Sequence, residues 1–170
     1  HDGIAISGAT GTTYTLTQAD IGSTITVTAS YTDGQGTAES KTSEATSAVA
    51  NVNDAPTGTV RISGTATEDQ VLTASNNLAD EDVLGTISYQ WNRAGTAISG
   101  ATGDKYTLTQ ADVGSTITVT ASYTDGQGTA ESVTSAATSA VANVNDAPTG
   151  TVTISGTATE DQGLTASNNL

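Results

Sequence analysis

The stretch STITVTASYTDGQG, residues 115–128, alternates without a break: Ile117, Val119, Ala121 and Tyr123 fall on one side, Thr118, Thr120, Ser122 and Thr124 on the other. Strand side chains point to opposite faces in turn, so a period of two marks a strand with one buried face. Asp125-Gly126 and Gly128 then tolerate positive φ, the chemistry of a tight turn. A further run rich in Thr, Val and Ala reaches Val141, and the two segments together read as a hairpin.

Upstream, TVRIS (59–63), VLTAS (71–75), TISYQW (86–91), TAIS (96–99) and KYTLT (105–109) show the same short β character between turn residues. No segment carries an apolar stripe of period 3.6, and TQADVG (109–114) makes at most one helical turn at a sheet corner. Seven short strands in about 90 residues predict an all-β fold, a two-sheet Greek-key sandwich.

The same unit is written nearly twice. NVNDAPTGTV at 51–60 returns unchanged at 143–152, an offset of 92 residues, and residues 1–78 overlay 93–170 with ten mismatches in seventy-eight pairs. A period of this length is that of a whole small domain rather than of a solenoid repeat. The expected organisation is tandem units of 92 residues: the C-terminal part of one over 1–50, a linker over 51–56, a complete unit over 57–142, a linker over 143–148 and the N-terminal part of the next over 149–170. The segment Ala79 to Asn92 occurs only once. Half a sandwich leaves strand edges and an apolar face open. We therefore expect residues 149–170 of one molecule to complement residues 1–50 of another, head to tail, unless both ends continue in a longer chain.

Composition narrows the chemistry. Apolar residues are 35% and aromatics 4%, with no Phe, Met or Cys, so each core is thin and no disulfide or thiolate metal site exists. Eighteen acids stand against Lys41, Arg61, Arg93 and Lys105, a formal net charge of −14. Nucleic acid and anionic lipid are repelled by such a field. Crowded carboxylates disfavour one another's ionisation unless a cation relieves them, which leaves oxygen-ligated metal as the open possibility beside simple solubility. No apolar run approaches the ~18 residues of a membrane span, and the first residues carry no leader pattern.

The chain resembles the bacterial immunoglobulin-like and cadherin-like tandem repeats of giant calcium-dependent adhesins of the RTX type, exported by type I secretion. The likeness covers the whole chain and is carried by YQWNRAGTAISGAT (89–102), YTLTQADVGSTITVTASYTDGQGTAES (106–132) and VNDAP (52–56 and 144–148). It implies an immunoglobulin-like sandwich with Trp91 as the strand-C core tryptophan, without the disulfide. It also implies an extracellular or bacterial cell-surface location, a part in adhesion and biofilm, and calcium at the junctions between units.

On a seven-strand sandwich the incoming linker, the loop after the second strand and the DGQG hairpin share one pole, gathering Asn53, Asp54, Asp80, Glu81, Asp82 and Asp125. The opposite pole gathers Glu68 and Asp69 of the first turn, Asp112 of the corner, and Asn145 and Asp146 of the outgoing linker. Calcium takes six to eight oxygen ligands, which these residue types supply. The resemblance assigns ligand roles to Asp54 and Asp146, to Asp80 and Asp82, and to Glu68; Asn51 and Asn143 stand where the cadherin linker opens on Asp. Read without the resemblance, Asn-Asp before Ala-Pro is also a good turn initiator.

Other functions find less in the sequence. GQGTAE lacks the third glycine and following helix of a dinucleotide site. Threonine ladders such as TITVT suit an ice-binding face, but threonine is also what an exposed strand favours. His1, the single histidine, reads as a tag remnant, and with no cysteine there is no obvious nucleophile or His base, so no enzyme is expected. The expectation is a calcium-stiffened spacer whose partners are the neighbouring repeats. The alternatives are a repeat that itself grips carbohydrate or protein, for which aromatic residues are scarce, and a structural filament or matrix protein.

Overall fold

A computed structural model of the chain describes residues 1–170 and contains eleven strands. In chain order these are β1 (Thr28–Thr32), β2 (Ala38–Thr42), β3 (Val60–Ser63), β4 (Val71–Asn76), β5 (Ser88–Arg93), β6 (Thr96–Ala97), β7 (Lys105–Thr107), β8 (Ile117–Thr124), β9 (Ala130–Thr134), β10 (Val152–Ser155) and β11 (Thr165–Asn168). The alternating stretch is β8, and its alternation becomes burial. Ile117, Val119 and Ala121 are wholly buried and Tyr123 nearly so, while Thr118, Thr120 and Ser122 are half-buried on the other face.

β8 lies between β5 and β9 in an antiparallel sheet of order β6-β5-β8-β9, with Trp91 opposite Val119 and Ser122 opposite Ser132. A second antiparallel sheet has the order β3-β4-β7. The two share one core. Val60, Leu72 and Ala74 from the three-stranded sheet join Trp91, Ile117, Val119, Ala121 and Tyr123 from the four-stranded one, closed by Leu78, Leu108 and Val141. Each wholly buried Leu, Ile or Val in such a core contributes about 1.5–3 kcal/mol relative to exposure. Trp91 has no exposed surface, donates from Nε1 to the Gly103 carbonyl at 2.8 Å and stacks at a tilt on Tyr106, with ring centroids 5.8 Å apart.

The strand expected to run to Val141 stops at Thr134. Beyond it, hydroxyls take over part of the ladder: Val119 N–H donates to Ser135 Oγ at 3.0 Å and Ile117 N–H to Thr138 Oγ1 at 3.0 Å. The chain thereby leaves the regular register and returns at Val141, which bridges Val113 in parallel as Ala142 bridges Thr67. This brings the outgoing linker beside the Glu68 turn. The helical turn expected at the corner is a 3₁₀ turn at Gln110–Asp112, and its copy lies at Gln18–Asp20.

Outside 57–142 the same local structure forms without a second sheet. β1 and β2 pair as β8 and β9 do, Thr28 opposite Thr42 corresponding to Thr120 opposite Thr134, and β10 and β11 pair as β3 and β4 do. What differs is burial: Val27 is 66% exposed where Val119 is 0%, and Leu164 is 55% exposed where Leu72 is 0%. No helix is long and apolar enough to cross a membrane.

Candidate functional site at the joint between units

The joint centres on Asp82. The loop Asp80–Val83 is first fixed by its own chemistry: Asp80 Oδ1 accepts from Asp82 N–H at 2.8 Å, and Asp80 Oδ2 accepts from Tyr123 Oη at 2.5 Å. The Asp82 and Val83 carbonyls both receive Gly126 N–H, at 2.8 and 3.0 Å. Gly126 is required there, because a Cβ would stand 2.7 Å from the Asp82 carbonyl oxygen. Val83 is held at φ +74°, a region a β-branched residue rarely enters and which costs about 1–3 kcal/mol. The loop is thus clamped on both sides, and the side chain of Asp82 is driven into the joint with no exposed surface.

Two other pieces of chain meet that carboxylate. Asp54 N–H, from the linker, donates to Oδ2 at 2.9 Å, and Gln18 Nε2, from the corner of the preceding unit, donates to Oδ1 at 2.8 Å and to the Glu81 carbonyl at 3.1 Å. The Asp54 amide, Gln18 and Asn51 together hold the Asp82 carboxyl below the usual aspartate range, outweighing the opposing effect of burial. Gln18 is placed by its 3₁₀ turn, whose capping residue Thr17 gives both its N–H and its hydroxyl to Asp20, at 2.8 and 3.0 Å. Tyr14 Oη at 2.9 Å and His1 Nδ1 at 3.1 Å complete the Asp20 carboxylate.

The other expected residues of this pole lie nearby in different states. Asn53 is exposed and donates from Nδ2 to Glu131 Oε1 at 2.8 Å, on the strand after the DGQG turn. Asp125 is 6% exposed; its Oδ1 accepts Gln127 and Thr129 N–H at 2.9 and 2.7 Å, while its Oδ2 is buried with no partner. Asn51 Oδ1 is also buried and unpartnered. Burial and the Asp80 hydrogen bond push the Tyr123 hydroxyl well above the usual tyrosine range, and Asp80, Glu131 and Asp125 all act on it in that direction.

At the opposite pole Glu68 is buried and its Oε2 accepts Val144 N–H at 3.1 Å, so this acid does meet the outgoing linker. Asp69 is exposed at φ +64° and donates its N–H to the Leu108 carbonyl at 3.1 Å. Asn145 and Asp146 are exposed, with Asn145 Nδ2 on the Asp146 carbonyl at 3.3 Å. Asp112 turns away from them into the corner, where it accepts Arg93 Nε at 2.7 Å, Tyr106 Oη at 2.9 Å, Thr109 N–H at 2.8 Å and Thr109 Oγ1 at 2.9 Å. Burial raises the Asp112 carboxyl, but Arg93 and the Thr109 and Tyr106 donors outweigh it and leave it below the usual range. Arg93, counted from sequence among bases too few for the acids, is thereby committed to one of them.

The donor set around the joint is all oxygen, the chemistry calcium requires, and Asp125 offers an unpartnered buried oxygen. Both Asp82 oxygens, however, already face N–H donors, and no three acids converge where one ion would touch them all. Sequence reasoning missed Gln18 and Glu131, and gave Asn51 only as a departure from the cadherin linker. The only hint of Gln18 was that TLTQAD recurs with Gln110, and glutamine in such a corner reads as an ordinary surface residue. Compared with known proteins, the chain matches no family model, no curated protein and no solved structure.

Proposed function

We propose that the chain is a stretch of spacer repeats from a large bacterial cell-surface or secreted adhesin, in which immunoglobulin-like Greek-key units of 92 residues hold a distal binding region away from the cell. The fold part of this reading is supported by the two facing sheets, β3-β4-β7 and β6-β5-β8-β9, because the connections β4 to β5, β6 to β7 and β7 to β8 each cross between them. The observation that carries the function is the joint itself: Gln18 of one unit and Asp54 of the linker both bond Asp82 of the next. A chain that fixes the angle between successive units through a buried contact keeps its length, which is what a spacer needs. Its work is mechanical, and no catalytic role is assigned.

Calcium belongs to the proposal on the strength of the resemblance and of eighteen acids against four bases. At one pole Asp80, Asp125, Asn53 and Asp54 are the residues that would hold it, with Glu68, Asp69, Asn145 and Asp146 at the other. A bound ion would join linker and loop through shared oxygens. Two measurements test the reading. Small-angle scattering of chains with two, three and four complete repeats should show the maximum dimension rising by equal steps; a plateau would overturn the spacer. Calorimetry of two complete repeats with Ca²⁺ should show binding that Asp54→Ala or Asp80→Ala weakens, and the absence of heat would remove calcium from it.

A further inference from the structure

The two corners of this chain are an internal comparison. Gln18 and Gln110 occupy the same position of the same TLTQAD segment, on 3₁₀ turns with the same capping geometry. Gln18 meets the Asp80–Val83 loop of the next unit and donates to Asp82 Oδ1 at 2.8 Å. Gln110 Nε2 rests instead on Asn143 Oδ1 at a long 3.4 Å. Asn143 is the counterpart of Asn51, which helps to hold the Asp82 carboxyl below its usual range at the first joint. The corner glutamine is therefore closed on a carboxylate at one joint and on a linker amide oxygen at the second.

We propose that each joint is a lock that closes without a metal ion: the corner glutamine and the linker N–H bind the buried aspartate of the following unit. By the same rule Gln110 is the arm that takes the acidic loop of a following unit. The chemistry supports this on three counts. The donors are neutral, so no second charge must be desolvated to meet Asp82. Each Asp82 oxygen already has an N–H within 3 Å, which leaves an ion no unshared oxygen of this carboxylate. The strained Val83 and the Gly126 contacts hold the loop in place beforehand, so closure orders little more than Gln18 and the linker.

The inference rests on the reading of the chain as consecutive repeats, but not on calcium. Its test is nuclear relaxation and amide exchange on the full chain in excess chelator. β1 and β2 should tumble at the rate of β8 and β9, and the Asp54 amide should be protected from exchange. Gln18→Ala should free the first hairpin and lose the Asp54 protection, and Gln18→Glu, which sets like charges together, should do so more fully. Signals from β8 and β9 report that the fold is intact in every variant. If the wild type in chelator already behaves like Gln18→Ala, or if closure appears only on adding Ca²⁺, the lock is overturned while the calcium reading survives. If calorimetry finds no calcium but the joint stays closed, the reverse holds. Continuing the chain after Leu170 with the sequence of residues 79–142, which completes the last unit, should move the Gln110 side-chain amide signals towards those of Gln18; unchanged signals would overturn the rule for Gln110.

Discussion

Trp91→Ala tests whether the unit over 57–142 stands on one shared core. Trp91 is the largest of the wholly buried side chains and the only tryptophan. It faces Val119 across the sheet, packs on Tyr106 and gives its indole N–H to the Gly103 carbonyl. Truncation removes the apolar area, leaves a cavity that a strand-bound backbone cannot collapse, and strands the Gly103 acceptor. Large-to-small changes of this kind cost about 3–5 kcal/mol, and the lost hydrogen bond adds about 1 kcal/mol. With only eleven buried apolar residues in the cluster, little else takes up the loss. Single domains are stable by about 5–15 kcal/mol, so the variant should be close to unfolding at room temperature. Urea denaturation followed by far-ultraviolet circular dichroism measures this, since the substitution also removes the fluorescent probe. Trp91→Phe should recover much of the loss. A cost below about 1 kcal/mol for Trp91→Ala would refute the shared core.

Arg93→Leu should destabilise the same unit by about 1–3 kcal/mol, less than a fully enclosed pair because the arginine side chain is 32% exposed, and adding Asp112→Leu should restore part of it in a double-mutant cycle. Asp20, Asp82 and Asp112 all have carboxyls held below their usual range. Such groups stabilise above the unfolded-state value and lose that contribution as pH falls towards the folded one, so the melting temperature should be flat from pH 7 to about 5 and fall below about 4. A steep loss between pH 7 and 5 would contradict the assignment. Gly126→Ala should loosen the Asp80–Val83 loop, seen as faster exchange of the Asp54 amide with the β8 amides unchanged. Finally, the half-cores carrying Val27 and Tyr31 at one end and Val152, Ile154 and Leu164 at the other should drive weak head-to-tail association of this 170-residue chain. Sedimentation at rising concentration detects it, Leu164→Asp should abolish it, and a strict monomer with both ends resistant to protease would rule it out.

The hairpins were legible in the sequence because everything that fixes them is local. Alternating β-branched residues and an Asp-Gly turn set the register of β8 on β9, and the same letters set the same register for β1 on β2 where no second sheet covers them. The 3₁₀ corners follow equally from Thr and Asp three residues apart, in both copies. The poles were legible in part: the Asp54 N–H reaches the Asp82 carboxylate, the Asp82 N–H reaches Asp80, and Glu68 reaches the outgoing linker, but the acids do not gather into one cluster. What each acid does there was not, because that depends on what lies across a gap in space. Asp112 is neutralised by Arg93, whose counterpart in the first copy is His1 beside Asp20. Val119 is core while Val27, with the same neighbours in sequence, is surface. Gln18 holds a carboxylate, and Gln110, in an identical hexapeptide, holds an amide oxygen. Identical segments with different partners show where the division falls: backbone geometry is settled by interactions within a few residues, whereas burial and the choice of hydrogen-bond partner are settled by whichever surface the fold brings opposite.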